Sequence, residues 1–259
     1  MIGVFDSGIG GLTVLREIYK EIPKLNTIYF GDTARTPYGN KGEGVIKRYS
    51  SQVVQFLINQ GAEIIIIACN TASAIATNFL KEKFDIPIFE VVLPGVEKAI
   101  KVTKTKEIAV LGTRATINSQ IYPKLIKLKD KKAKVLSKSA PLLVPLVEEN
   151  WIQKPETELI IKRYLNFESS FDTLVLACTH YGFLFNIIKR NLKNNINIID
   201  PGKEAVFKLK TFLNNNQKIK SRLLGNKHEF LVSDKTKKFQ NLARKWLQKD
   251  IILKQHIFE

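Results

Sequence analysis

Short apolar runs alternate along this chain with segments of helical period, and this alternation constrains its fold more than any other feature. Ile64–Ile67 is four isoleucines in a row. A strand without a polar face must be covered on both sides, which is the habit of a parallel sheet flanked by helices. The pattern predicts strands at 2–5, 26–30, 63–69, 88–92, 107–111, 134–137, 173–178 and 196–200. Between them, helical period is predicted at 12–21, 44–60, 72–84, 116–128, 142–151, 157–167 and from His180 to Leu192, with Thr71 or Ser73 as cap of the third. Strands alternating with helices define an α/β fold with a largely parallel sheet. The tail from Lys203 reads as helix 205–214, strand 228–233 and helix 236–247, and is expected to pack back on the first half.

The two halves follow one grammar. Residues 2–7 can be laid on residues 108–113, and the run ending Ala68-Cys69-Asn70-Thr71 on the run ending Ala177-Cys178-Thr179-His180. An Ala-Cys at the end of a buried strand in both runs marks a diverged internal duplication.

Composition narrows the class. Of 259 residues, 44% are hydrophobic, enough for a substantial core. The start, Ile2–Phe5, reads directly as a strand rather than a leader, and no apolar run is long enough to span a bilayer, so a cytoplasmic protein is expected. The chain has two cysteines and three histidines. No CxxC or metal-ligand spacing occurs, and a cytosolic setting argues against a disulfide. The net charge of +17 would ordinarily suggest nucleic acid. The basic residues are 33 Lys against 8 Arg, spread along the chain, whereas base reading and bidentate phosphate sites favour Arg. A solvated basic surface is the expectation, and specific nucleic-acid binding is not.

Cys69 and Cys178 carry the chemistry. In open α/β sheets, ligands bind outside the carboxyl ends of the strands. Both cysteines sit at such ends, each just before a predicted helix whose N-terminus favours a thiolate. A lone cysteine there is usually a small core residue. Two, at equivalent places in two similar halves, would face each other across one cleft. Such a pair suits removing a proton from one face of a carbon and returning one to the other, since a thiol and a thiolate are both accessible near neutral pH. Asp6, after the first strand, and His180, two residues beyond Cys178, are candidate helpers. Glu148 alone would read as solvated helix charge. Ser7, Asn70, Thr71, Thr113, Thr116 and Thr179 offer hydroxyls, amides and helix N-termini for carboxylates. The turn Gly8-Ile9-Gly10-Gly11 is neither GxGxxG nor a P-loop, so nucleotide binding is not expected there.

Several segments together closely resemble the glutamate racemases of the aspartate/glutamate racemase superfamily. They are Gly3–Gly11, Tyr29–Gly39, Ala68–Ala72, Gly112–Thr116, Val144–Glu149 and Ala177–Tyr181. The likeness runs to about residue 205. It implies two similar Rossmann-like lobes, related by a pseudo-twofold, with mainly parallel sheets and the active site in the cleft between them. The expected division is 1–92 plus 206–259 against 93–205. It implies interconversion of L- and D-glutamate without pyridoxal phosphate or metal, supplying D-glutamate for peptidoglycan, by a protein that commonly forms dimers. Carried over by matched motif, Cys69 would deprotonate D-glutamate and Cys178 L-glutamate. Asp6 and His180 would assist the respective thiols, and Glu148 would act near His180. Asp6, Ser7, Pro37, Tyr38, Gly39, Asn70, Thr71, Thr113, Thr116, Thr179 and His180 would line the substrate site. The family phrase continues after Thr-His-Tyr with Pro-Leu; here Gly182-Phe183 follows, which implies a looser helix start.

Overall fold

A computed structural model describes residues 1–258. Ten strands form two sheets. They are β1 (Ile2–Asp6), β2 (Thr27–Gly31), β3 (Ile64–Ile67), β4 (Ile88–Glu90), β5 (Glu107–Gly112), β6 (Lys134–Ser139), β7 (Thr173–Ala177), β8 (Asn197–Ile199), β9 (His228–Val232) and β10 (Lys254–Gln255). The first sheet runs β10-β9-β2-β1-β3-β4 and the second β6-β5-β7-β8. Every pairing is parallel. The order 2-1-3-4 in the first sheet is repeated as 6-5-7-8 in the second, as the duplicated sequence requires. The tail extends the first sheet only, through β9 against β2.

Twelve helices cover the sheets: α1 (Leu12–Glu21), α2 (Glu43–Asn59), α3 (Asn70–Lys83), α4 (Val92–Val102), α5 (Arg114–Asn118), α6 (Ile121–Lys129), α7 (Leu143–Glu148), α8 (Pro155–Leu165), α9 (Phe185–Arg190), α10 (Pro201–Asn215), α11 (Gln217–Leu223) and α12 (Lys237–Leu247). None is long and apolar enough to cross a membrane among the described residues. Strands β1, β3 and β7 are buried along their whole length, as their unbroken apolar runs predict. One apolar cluster joins residues of both sheets, from Ile2 and Val4 to Leu111 and Leu176, through α1 and α10. The divisions expected at 92/93 and 205/206 fall within α4 and α10, which pack on each other.

Three local expectations differ from the structure. The helix predicted at 116–128 is two helices, because Gln120 adopts a left-handed backbone between them (φ 55°). The helix predicted from His180 begins as a 3-10 turn, Thr179–Leu184, before α9. Gly182 is in that turn, where a Cβ would meet nothing closer than 3.6 Å, so the glycine is not sterically required. The cap of α3 is Cys69 rather than Thr71 or Ser73: its sulfur accepts from Ala72 N at 3.4 Å. Helix α11 and strand β10 carried no periodic signal.

Register decides what meets at the strand ends. Phe5 pairs with Ile67, so Ser7 comes beside Cys69. Gly112 pairs with Ala177, so Thr113 comes beside Cys178. Asp172 anchors the start of β7. It accepts from Thr103 Oγ1 (2.6 Å), Lys104 N (2.6 Å), Thr105 N (2.8 Å) and Thr173 Oγ1 (2.9 Å). Burial opposes its charge, but these bonds outweigh it and bring the carboxyl down to about 2. A depressed acid stabilises the fold above its unfolded value of 3.8 and loses that contribution as pH falls through about 2. Asp172→Ala is therefore expected to lower Tm by roughly 5–10 °C at pH 7. Thermal melts should show the gap to wild type closing between about pH 4 and pH 2.

Candidate active site

The carboxyl ends of β1, β3, β5 and β7 converge on a cavity of about 20 Å³. Ser7, Pro37, Tyr38, Gly39, Cys69, Asn70, Thr71, Thr113, Cys178, Thr179 and His180 line it. Asp6, Thr116 and Glu148 lie one layer behind. Thr36 and Val144 also line it, although the sequence assigned neither a role. A larger groove of about 570 Å³ lies over α4 and α10, but neither thiol reaches it.

Both cysteines are free and buried. The Cys69 thiol donates to Ser7 Oγ at 3.4 Å. Burial first, then the charges of Asp6 and Cys178, push it up to about 12, against its hydrogen bonds with Ser7 and Ala72. Cys69 therefore rests as a thiol. Cys178 Sγ lies 3.9 Å from His180 Nδ1, and His180 Nε2 lies 3.1 Å from Glu148 Oε1. Burial lowers the His180 value, but hydrogen bonds to Cys178 and Glu148, and their charges, raise it to about 10. The ring is an imidazolium at neutral pH, held between sulfur and carboxylate.

Asp6 is fully buried and makes no hydrogen bond with Cys69. Its carboxylate accepts from Gly8 N (3.0 Å) and Thr179 Oγ1 (3.4 Å). Burial pushes it up, against the His180 charge and the N–H groups of Gly8 and Gly11. It reaches Cys69 through its field, and it ties the first sheet to the Thr179 turn. A second tie is a triangle of buried hydroxyls: Thr71 to Thr113 (2.9 Å), Thr71 to Thr116 (3.1 Å) and Thr113 to Thr116 (2.9 Å). Three hydroxyls in a ring donate and accept once each, so the triangle satisfies itself. Two glycines permit the closeness. A Cβ on Gly10 would sit 2.4 Å from Thr179 Oγ1 and 2.6 Å from His180 Nδ1, and one on Gly39 2.6 Å from Thr113 Cβ.

Two supporting residues had no role in the sequence reading. Asp32 is fully buried and accepts from Tyr38 OH, Arg35 Nε and Ser233 Oγ, fixing the Tyr38 wall. Tyr122 on α6 donates to Asn70 Oδ1 at 2.7 Å. Asp32 stands in a segment that carries the family likeness. Nothing in the local pattern around Tyr122 points to the cavity.

Two α/β halves with one buried thiol each close on a shared cavity, the arrangement of a two-lobed α/β enzyme. The Asp/Glu/hydantoin racemase family model matches residues 2–209, and the chain belongs to that family. A glutamate racemase of a Sulfurihydrogenibium species is 45% identical over 244 residues, covering 93% of this chain and 91% of the relative. The crystal structure of glutamate racemase isoform RacE1 from Bacillus anthracis superposes with TM-score 0.91 at 34% identity, covering 99% of this chain and 97% of that one. The glutamate racemase of Francisella tularensis, solved in complex with D-glutamate, gives 0.89 at 35% identity, covering 100% and 97%.

The raised His180 value carries a stability consequence. A base raised from 6.5 to about 10 on folding contributes stability that is complete below pH 6.5 and is lost as pH rises through about 10. Urea unfolding should therefore show wild type losing its advantage over His180→Asn across that window. A gap independent of pH would show that the folded ring is not protonated.

Proposed function

We propose that this chain interconverts L- and D-glutamate by proton transfer at the α-carbon, with Cys69 and Cys178 as the two bases. The observation that carries the reading is that the only two thiols line one small buried cavity from opposite sheets. The family and the relatives named above support glutamate as substrate.

In this reading, one thiolate takes the α-proton from one face of the substrate, and the opposite thiol gives a proton to the other face. The protons balance, and the enzyme is left with the two sulfur protonation states exchanged. Cys178, set against the His180 imidazolium, is the base toward L-glutamate. Cys69, resting as a thiol beside Ser7, is the acid that completes D-glutamate. In the reverse direction the roles exchange. Asp6 acts on Cys69 through its charge, and Glu148 holds His180 in place. The developing carbanion is stabilised electrostatically by preorganised N–H and O–H groups at the N-termini of α3 and α5. Both proton transfers are assigned to protein side chains, so no step is routed through a cofactor.

A cavity of about 20 Å³ has room for about one water. Glutamate enters only if the walls part, and closing around it removes water from the thiols. We take the parting units to be the lobes 1–92 with 206–259 and 93–205. We further propose that the product feeds peptidoglycan synthesis in the cytoplasm and that the enzyme works as a homodimer.

The test is solvent deuterium incorporation at the α-carbon of L-glutamate and of L-aspartate, with circular dichroism following loss of optical activity. Exchange with glutamate alone is expected. Exchange with aspartate alone would overturn the substrate, and exchange with neither, in folded reduced protein, would overturn the activity. Cys69→Ser and Cys178→Ser should each lower racemisation by about a thousandfold or more at unchanged Tm, the loss of one essential acid–base group. Near-native turnover in either variant would exclude the two-thiol mechanism.

A further inference from the structure

Asn70 follows Cys69 directly and lines the cavity. Its side chain has two ends of opposite character. The oxygen is occupied, accepting from Tyr122 OH at 2.7 Å. The amide nitrogen makes no hydrogen bond within the protein and is not fully sealed from solvent. An Asn side chain otherwise has little reason to prefer one face over the other, since oxygen and nitrogen are nearly the same size. Here the preference is imposed. Tyr122 is 1% exposed, and burial pushes its hydroxyl well above the usual tyrosine range, so it stays a phenol and can donate to the oxygen. The ring belongs to a buried apolar cluster with Val92, Val96, Ile126 and Val175.

The two residues stand on different halves of the molecule. Asn70 opens α3, behind β3 of the first sheet, and Tyr122 lies on α6, between β5 and β6 of the second. The bond can form only when the halves are closed on each other.

We propose that Tyr122 is a positioning residue for substrate binding. Through the Asn70 oxygen, it turns the amide N–H groups into the cavity, where they meet a carboxylate of the amino-acid substrate. The proposal rests on the racemase reading above. It adds that Asn70 is set for an anion only in the closed form. Tyr122 touches neither substrate nor sulfur. Its effect should therefore fall on ground state and transition state alike, raising KM while leaving kcat nearly unchanged.

The experiment is steady-state racemisation by Tyr122→Phe, Asn70→Ala and the double variant, with Tm measured for each. Tyr122→Phe removes one oxygen and keeps the ring. The expected result is a rise in KM of about tenfold with kcat within about twofold, the worth of one hydrogen bond. In the Asn70→Ala background, Tyr122→Phe should change KM by less than about twofold, because the group it orients is gone. Tyr122→Phe with wild-type KM would overturn the proposal, whether or not Tm falls. An equal KM effect in both backgrounds would also overturn it, by showing that Tyr122 acts through something other than Asn70. Wild-type protein that racemises neither direction would instead overturn the underlying activity; that outcome is read from wild type alone and is separate from the variant-to-wild-type ratio.

Discussion

Two thiols sealed in a space of about one water's volume set the terms for everything around them. Sulfur at a buried site resists ionisation, as the Cys69 value of about 12 records. A catalytic thiolate there must be supported by charge placed within a few ångströms. The molecule meets that demand on one side with an imidazolium. His180 is itself buried, and would lose its proton there without Cys178 on one nitrogen and Glu148 on the other. The carboxylate, ring and sulfur lie in one line, so removing the Glu148 carboxylate leaves the buried ring charge uncompensated.

The same demand explains the asymmetry of two otherwise equivalent halves. Ser7 and Thr113 occupy matching places beside Cys69 and Cys178. Ser7 bonds its own cysteine, whereas Thr113 turns to Thr71 and Thr116. The first half carries a buried carboxylate, Asp6, where the second has Gly112. Only the second has a histidine next to its sulfur. One thiol is held protonated and the other is set against a cation. That is the resting pattern a reaction needing an acid on one face and a base on the other would use.

Closure is built from polar contacts across the cleft rather than from apolar burial alone. Asp6 to Thr179, the threonine triangle and Tyr122 to Asn70 all span the two halves. Each fixes a cavity-lining group while it holds the halves together. Gly10 and Gly39 remove the side chains that would keep these surfaces apart.

The parallel α/β architecture, the internal repeat and the strand-end position of both cysteines were legible in the sequence, because each rests on period or on short-range pattern. Ile64–Ile67 could be nothing but a strand covered on both faces, and Cys69 and Cys178 followed from the runs before them. Most cavity residues were legible for the same reason: they lie within a few residues of a strand end. Tertiary structure alone decided the rest. Thr36 reaches the cavity from the loop after β2 and Val144 from the first turn of α7, and no local pattern sets where either segment docks. Cys69 took the cap role expected of Thr71 or Ser73, because register places its sulfur over the first turn of α3. Asp6 proved to face Thr179 and the turn amides. The choice of Tyr122 as partner of Asn70, 52 residues away, depends on how α6 docks against α3. Periodicity records which face of an element is buried; it carries no information about which buried hydroxyl ends beside which amide.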